Sequence, residues 1–491
     1  MKKKLYAAVL LPILLLVLSG CLFRPADDLY KLPEVSADYD RLKAAIREVR
    51  SGLELEYGIS TDVALILSGD STATIQLQDL DGDGVRESAV TFLKVPGVEK
   101  SLKIYVFRQV GEEYEVDGIV EGDGAAIYSV DYVDLNERGK KELVVSWQIS
   151  AGVYQLGAYT LDEIRQSAVK EDNALPVMSQ EKRQGLQATQ LLLTGCSVAV
   201  DGTSVSSGYR LLDFDQDTCT EIAVARIDGS GEGSQLDVYG WQDGALQKVD
   251  SANLSVGIVS LNRIRANYLQ GELYPPALYV TATLADGNRV IDVVSYQKDK
   301  ENGEMNLVNL AADPETGVSR EVLQGYTDLL PADINDDYVM EVPVPVPLPN
   351  YSDLTTTNFW LIDWAQYGED GGREHVVTTY HNVQDSWYLE IPEKWRDRII
   401  IARNDQISGQ REVVFSMWKR DDRVPQPFLS IYRLTGNNRA SVASVNGRFV
   451  LHEEESVIYA AKLYDSKWNS GLDETGLLER FHTIQTAWYS E

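Results

Sequence analysis

The chain has 491 residues, with 45 lysines and arginines against 75 aspartates and glutamates, a formal net charge of −30. Such a field repels phosphate backbones and attracts cations, which excludes nucleic acid as an expected partner. Three cysteines exclude a disulfide framework, and the length exceeds one ordinary compact core unless the chain is a repeat array.

Lys2, Lys3 and Lys4 precede an almost wholly apolar run from Leu5 to Leu18, followed by Leu18-Ser19-Gly20-Cys21. A basic start, a short apolar run and small residues before a cut mark an export signal. The Leu-Ser-Gly-Cys stretch resembles the bacterial lipobox. That resemblance implies that residues 1–20 are a signal peptide and that Cys21 becomes the lipidated N-terminus. The expected location is then the outer face of a cell membrane, with the lipid as anchor. An uncleaved membrane anchor with an incidental cysteine is the alternative. Removing residues 1–20 takes away three lysines and no acids, leaving 42 basic and 75 acidic residues, a net −33. No second apolar run approaches the ~20 residues that span a bilayer.

Residues 21–57 read as a lipidated tether, with Pro25 and Pro33, leading into a helix over roughly Ala37 to Ser51. Tyr39, Leu42, Ile46, Val49 and Leu53 form its apolar stripe, and Gly52 is a natural stop. The stripe is expected to pack on the body or to space it from the membrane; binding a partner is the alternative.

From residue 58 onward one unit recurs. Asp79-Leu80-Asp81-Gly82-Asp83-Gly84-Val85-Arg86-Glu87 aligns without gaps with residues 134–142, 213–221 and 333–341. Every copy has Asp at position 1, an apolar residue at 2, Asp or Asn at 3, and Glu at 9. The flanks agree: Ile75 and Leu77, Val130 and Tyr132, Tyr209 and Leu211, Leu329 and Pro331 alternate as on a strand with one buried face. A second strand follows each loop, so the unit is strand, acidic loop, strand. The starts at 79, 134, 213 and 333 are spaced by 55, 79 and 120, the last being two steps of 60. Weaker copies are therefore expected near 273, 396 and 453.

Self-similarity at such a period indicates a solenoid, a propeller or an array. A propeller blade needs about 40–50 residues, and seven units of about 60 fill residues 58–491. The expected fold is all-β, a seven-bladed β-propeller, with six or eight blades as neighbouring counts. The loops and their spacing resemble the FG-GAP and VCBS repeats of propellers of the integrin α-subunit type. The Phe-Gly and Gly-Ala-Pro landmarks of that family are not cleanly present.

Calcium takes six to eight oxygen ligands in irregular geometry, and positions 1, 3 and 5 of a tight loop can converge on one ion. A carbonyl at 7 and an acid at 9 complete the set. In the first loop these are Asp79, Asp81, Asp83, the Val85 carbonyl and Glu87; in the third, Asp213, Asp215, Asp217, the Cys219 carbonyl and Glu221. In the fourth they are Asp333, Asn335, Asp337, the Val339 carbonyl and Glu341. Thr218 and Tyr338 at position 6 oppose the positive φ that Gly84 adopts readily. In the second loop Arg138 stands at position 5, where its guanidinium is expected to pair with Asp134 and Glu142 in place of an ion. The expected cofactor is structural Ca²⁺ at up to three loops; a hydrogen-bonded Asx turn facing water is the alternative for each.

Cys196 and Cys219 read as two thiols, with a bridge as the alternative. Seven of the nine tryptophans lie between residues 360 and 488, expected mainly in the core. Within that half, Trp360 and Trp364 on the stretch 355–364 are the candidate recognition surface. His375 and His381 read as surface or cleft residues, and no nucleophile elbow, HExxH spacing or phosphate loop occurs. The sequence thus points to a membrane-anchored binding or scaffolding module for a protein or glycan. A carboxylate-dependent enzyme acting on surface polysaccharide and a structural envelope component are the alternatives.

Overall fold

The computed structural model describes residues 37–161, 178, 180–199, 207–228, 233–270, 276–299, 303–325, 329–349, 358–418 and 424–484. The expected signal peptide, Cys21 and Trp488 lie outside the described residues, as do residues 271–275.

Helix α1 spans Ala37–Tyr57. It runs through Gly52, whose cost in a helix interior is only about 1 kcal/mol, because the following turn buries Leu53. The stop is Gly58, at φ +67°, whose N–H reaches the Glu54 carbonyl at 2.9 Å. Among the described residues three short α-helices follow: α2 (Gln180–Gly185), α3 (Arg439–Ala443) and α4 (Glu474–Arg480). No helix among the described residues is long and apolar enough to cross a membrane.

Among the described residues six antiparallel sheets of four or five strands succeed one another along the chain. They cover residues 62–122, 126–196, 209–253, 258–323, 342–390 and 399–463, and the late strand Phe481–Thr483 joins the fifth. The strands behind the first three acidic loops, Ser88–Lys94, Glu142–Ser150 and Glu221–Arg226, and the strand Pro276–Leu284 of the fourth sheet are buried on both faces over most of their length. A strand buried on both sides belongs to a sheet packed between two neighbours.

Those neighbours are the preceding and following sheets. Phe92 and Ile104 share a core with Ile127 and Trp147, and Val144 with Ile222. Val238 packs with Ile264, Tyr279 with Trp364, and Leu389 with Phe415. Five cores therefore link six sheets in chain order. Among the described residues no buried cluster joins the first sheet to the sixth. The two end faces are covered by helices instead. Trp147 of the second sheet lies against Gly122 on one face of the first, and α1 covers the other, where Lys103 Nζ stands 5.7 Å from the Tyr57 ring. On the sixth sheet, Ala443 of α3 packs with Tyr432, Leu434, Ile458 and Ala460.

The segments leading into the loops touch in sequence along the chain. Tyr132 donates to Gln76 Oε1 at 2.8 Å, and Tyr209 bonds Ser129 and Asp131. Arg210 donates to the Ile264 carbonyl, and Arg265 to that of Pro331 at 2.5 Å.

The weaker copies meet different fates. The strand after 273 forms as Pro276–Leu284, and the one after 396 as Ile399–Asn404. The strand after 453, Val457–Leu463, founds no sheet of its own. It pairs with Gln426–Thr435 and with Arg448–Glu453, all inside the sixth sheet, so six sheets stand where the period anticipates seven. The fourth loop has lost most of its leading strand. Pro331 has no N–H to give, and only the bridge Ala332–Glu341 remains. Behind it, Val342–Pro347 alternates valine with proline; Val342, Val344 and Val346 stand opposite Ala365, Asp363 and Leu361, and the prolines fall on this edge strand, where a missing donor is tolerated.

Candidate metal centres

All four acidic loops share one backbone. Positions 4 and 6 are left-handed in each: Gly82 and Gly84, Glu137 and Gly139, Gln216 and Thr218, Asp336 and Tyr338. Thr218 at φ +80° and Tyr338 at +70° adopt the conformation their side chains oppose, a strain of order 1–3 kcal/mol each. What enforces it is the aspartate at position 1. Its carboxylate accepts the N–H of position 6 in every copy, at 2.9 Å for Gly84, 2.7 Å for Gly139, 3.2 Å for Thr218 and 2.8 Å for Tyr338. The carboxylate at position 5 accepts the N–H of position 7, as Asp83 from Val85, Asp217 from Cys219 and Asp337 from Val339.

Position 9 separates the first loop from the others. In loops two to four the ladder closes on the glutamate itself, Val133 with Glu142, Leu212 with Glu221 and Ala332 with Glu341. Each of these glutamates is buried and accepts the N–H of position 2, from Leu135, Phe214 and Ile334 at 2.7–2.9 Å. In the first loop Gln78 pairs with Ser88, one residue later, and Glu87 is released into the loop. Its two carboxylate oxygens, and Oδ1 of Asp81, are shut off from solvent without a hydrogen-bond partner.

The consequence is a four-carboxylate cluster. Asp79, Asp81, Asp83 and Glu87 each present an oxygen within 4.8 Å of the others. In the third loop Asp213, Asp215 and Glu221 converge in the same way, but Asp217 stays outside, turned to the Cys219 N–H. The fourth loop does not gather its carboxylates. Asn335 Nδ2 donates to Asp337 at 2.9 Å, and Gln366 Nε2 bridges Asp337 and Glu341 at 2.8 and 2.6 Å. Amide hydrogens thus compensate charge there. Gln366, on the strand Trp360–Tyr367, lies 25 residues beyond Glu341, and no local pattern in the sequence announces it.

In the second loop the Arg138 guanidinium lies 5.7 Å from the Trp241 ring. Glu142 is held by Asn136 Nδ2 at 2.7 Å and Thr160 Oγ1 at 3.3 Å. An aromatic face and a strand threonine, both distant in sequence, decide that arrangement.

Electrostatics follow burial. Glu221 and Glu341 are pushed up to about 7, first by burial and then by the neighbouring aspartates of their loops. Glu87 is raised by burial and by Asp81, Asp83 and Asp79, and Asp215 by burial and Asp217. Carboxyls held above their ordinary range lack positive charge nearby. A hard divalent cation would supply it, and the first loop offers the oxygen donors such an ion prefers. The Cys219 thiol is pushed up to about 12 by burial and Asp217. Both it and Cys196 are free thiols.

Packing removes Trp364 from the expected recognition surface. Trp364 is 2% exposed in the core between the fourth and fifth sheets, its Nε1 donating to Thr379 at 2.7 Å. Trp360 is half-buried, its ring against Gly325. Burial takes Trp364 off the surface, while Trp360 at the start of the strand stays partly exposed. His381 is likewise buried, between the rings of Trp364 and Tyr388.

No family model matches the chain, and no curated protein matches it.

Proposed function

We propose that this is a lipid-anchored, extracytoplasmic binding or scaffolding module, a propeller-type radial array whose first and third acidic loops hold Ca²⁺ as structural ions. The observation that carries the reading is the first loop, with four converging carboxylates and a Glu87 whose oxygens have no donor. Neutralising that cluster couples ion binding to folding. The sequential contacts of the segments leading into the loops, from Gln76 to Pro331, support a radial arrangement with these segments innermost. Lipidation rests on Leu18-Ser19-Gly20-Cys21 and its resemblance to the lipobox. The partner is a protein or glycan presented at the membrane surface; an acidic field disfavours nucleic acid.

Calcium titration of the purified protein by calorimetry, with thermal unfolding in EDTA beside it, tests the ion. Saturable binding and a higher melting temperature in Ca²⁺ are expected, both weakened by Asp79→Ala with Asp83→Ala. A melting curve indifferent to EDTA overturns the metal reading. For the anchor, metabolic labelling with an alkyne fatty acid should mark the native chain and not Cys21→Ala; equal labelling of both removes Cys21 from the reading.

A further inference from the structure

The fourth sheet carries a charge that nothing in the acidic loops explains. Its first strand, Ile258–Tyr268, bears Arg263, 2% exposed, with Nε and Nη1 shut off from solvent and without a hydrogen-bond partner. No ion pair to Arg263 is formed among the described residues. A guanidinium cannot shed its proton, and a buried, uncompensated charge is strongly unfavourable.

A β-bulge directs this side chain. Leu261 stands opposite Ala282 and Arg263 opposite Thr281, so Asn262 is the extra residue. Leu261 and Ile264, three apart, thereby both reach the core shared with the third sheet. Arg263 and Arg265 are turned to the opposite face, beside Thr281 and Tyr279, towards the fifth sheet. Arg265 finds an acceptor there, the Pro331 carbonyl. The buried carboxylate of Glu321, whose backbone carbonyl accepts the Ile291 N–H, is taken by Tyr367 and Arg373. Arg263 alone is left over.

We propose that Arg263 anchors a small-oxyanion site on the face of the fourth sheet turned to the fifth, taking a carboxylate, sulfate or phosphate group. The planar guanidinium suits such ligands, with paired N–H donors and charge. Local compensation, not the net charge of the molecule, governs a buried group. The site is independent of the cation loops, and the bulge at Asn262 is the device that keeps the arginine out of the apolar core on the other face.

Thermal unfolding of the full chain in sulfate and in acetate, each against chloride at equal ionic strength, tests it. Saturable stabilisation by either oxyanion is expected in the native protein, with affinity reduced at least about tenfold in Arg263→Met. A response to acetate and not to sulfate assigns a carboxylate ligand, and the converse a tetrahedral one. Arg263→Met should also be more stable than the native chain in chloride alone, since it removes an unpaired buried charge. Oxyanions no better than chloride, or an undiminished response in Arg263→Met, overturn the site. Should that variant fail to fold, selenate in crystals of the native protein decides: an anomalous peak at Arg263 supports the site, and its absence there rejects it.

Discussion

Gly82 of the first acidic loop lies directly on the backbone of Gly139 in the second. A Cβ built on Gly82 would stand 1.7 Å from the Gly139 carbonyl oxygen. The contact is reinforced by Lys141, whose N–H donates to the Leu80 carbonyl at 2.9 Å. Glu137 of the second loop in turn accepts from Thr218 of the third at 2.6 Å. Three loops therefore form one continuous rim, and the second serves as the wedge between two candidate ion sites. Gly82→Ala must displace that rim and hold alanine at φ +78°, a cost of about 2–4 kcal/mol. Gly84→Ala meets nothing within 4 Å and pays only backbone strain, about 1–2 kcal/mol. Calorimetric melting of the two variants should show the larger fall for Gly82→Ala; equal falls would mean that the loops do not touch.

Tyr338 offers the opposite case. Its side chain is 75% exposed, and its backbone is held at φ +70° by Asp333. Tyr338→Gly relieves the strain and loses little packing, so a gain of about 0.5–1 kcal/mol is expected after the larger entropy of the unfolded chain. Chemical denaturation reads this directly, and a loss of stability would place Tyr338 in a contact beyond the loop.

Buried Lys103 pairs with half-buried Glu121 at 2.5 Å on the face that α1 covers. Lys103→Met leaves Glu121 uncompensated and should cost about 3 kcal/mol. Adding Glu121→Leu should restore most of it, because breaking a buried pair costs more than replacing both members. A double variant no better than the single one refutes the pairing as the source of the effect.

His381 predicts a pH dependence. Burial pushes its imidazole down to about 3, from an ordinary value of 6.5. The folded chain thus keeps the ring neutral, while the unfolded chain protonates it below about 6.5. Stability from this group is fully present above pH 6.5 and is lost as pH falls towards 3. His381→Phe, packed between the same two rings, should show a shallower decline of melting temperature over that window. Parallel declines for both proteins would assign the acid sensitivity to carboxylates alone.

Local pattern carried much of the architecture. The four loops with Asp at 1 and Glu at 9, and the apolar strands behind them, are legible because a repeat imposes the same short-range demands each time. The antiparallel pairs formed where the alternation placed them, and even the weaker copies near 273 and 396 led into strands. Helix α1 was legible in its stripe, though Gly52 did not end it, since burial of Leu53 outweighs one unfavourable residue.

What the pattern left undetermined depended on partners distant in the chain. Whether Val457–Leu463 begins a sheet or completes one is settled by which edge it reaches, and it reaches Gln426–Thr435. Whether the glutamate at position 9 is released into the loop or kept in the ladder turns on a one-residue difference in where the ladder closes, Gln78 with Ser88 against Leu212 with Glu221. Gln366 compensates the fourth loop, Trp241 receives Arg138, and the burial of Trp364 removes it from any surface. Composition and periodicity act through neighbours in sequence and so reveal strands and loops; charge compensation and burial act through neighbours in space, which only the packed sheets bring together.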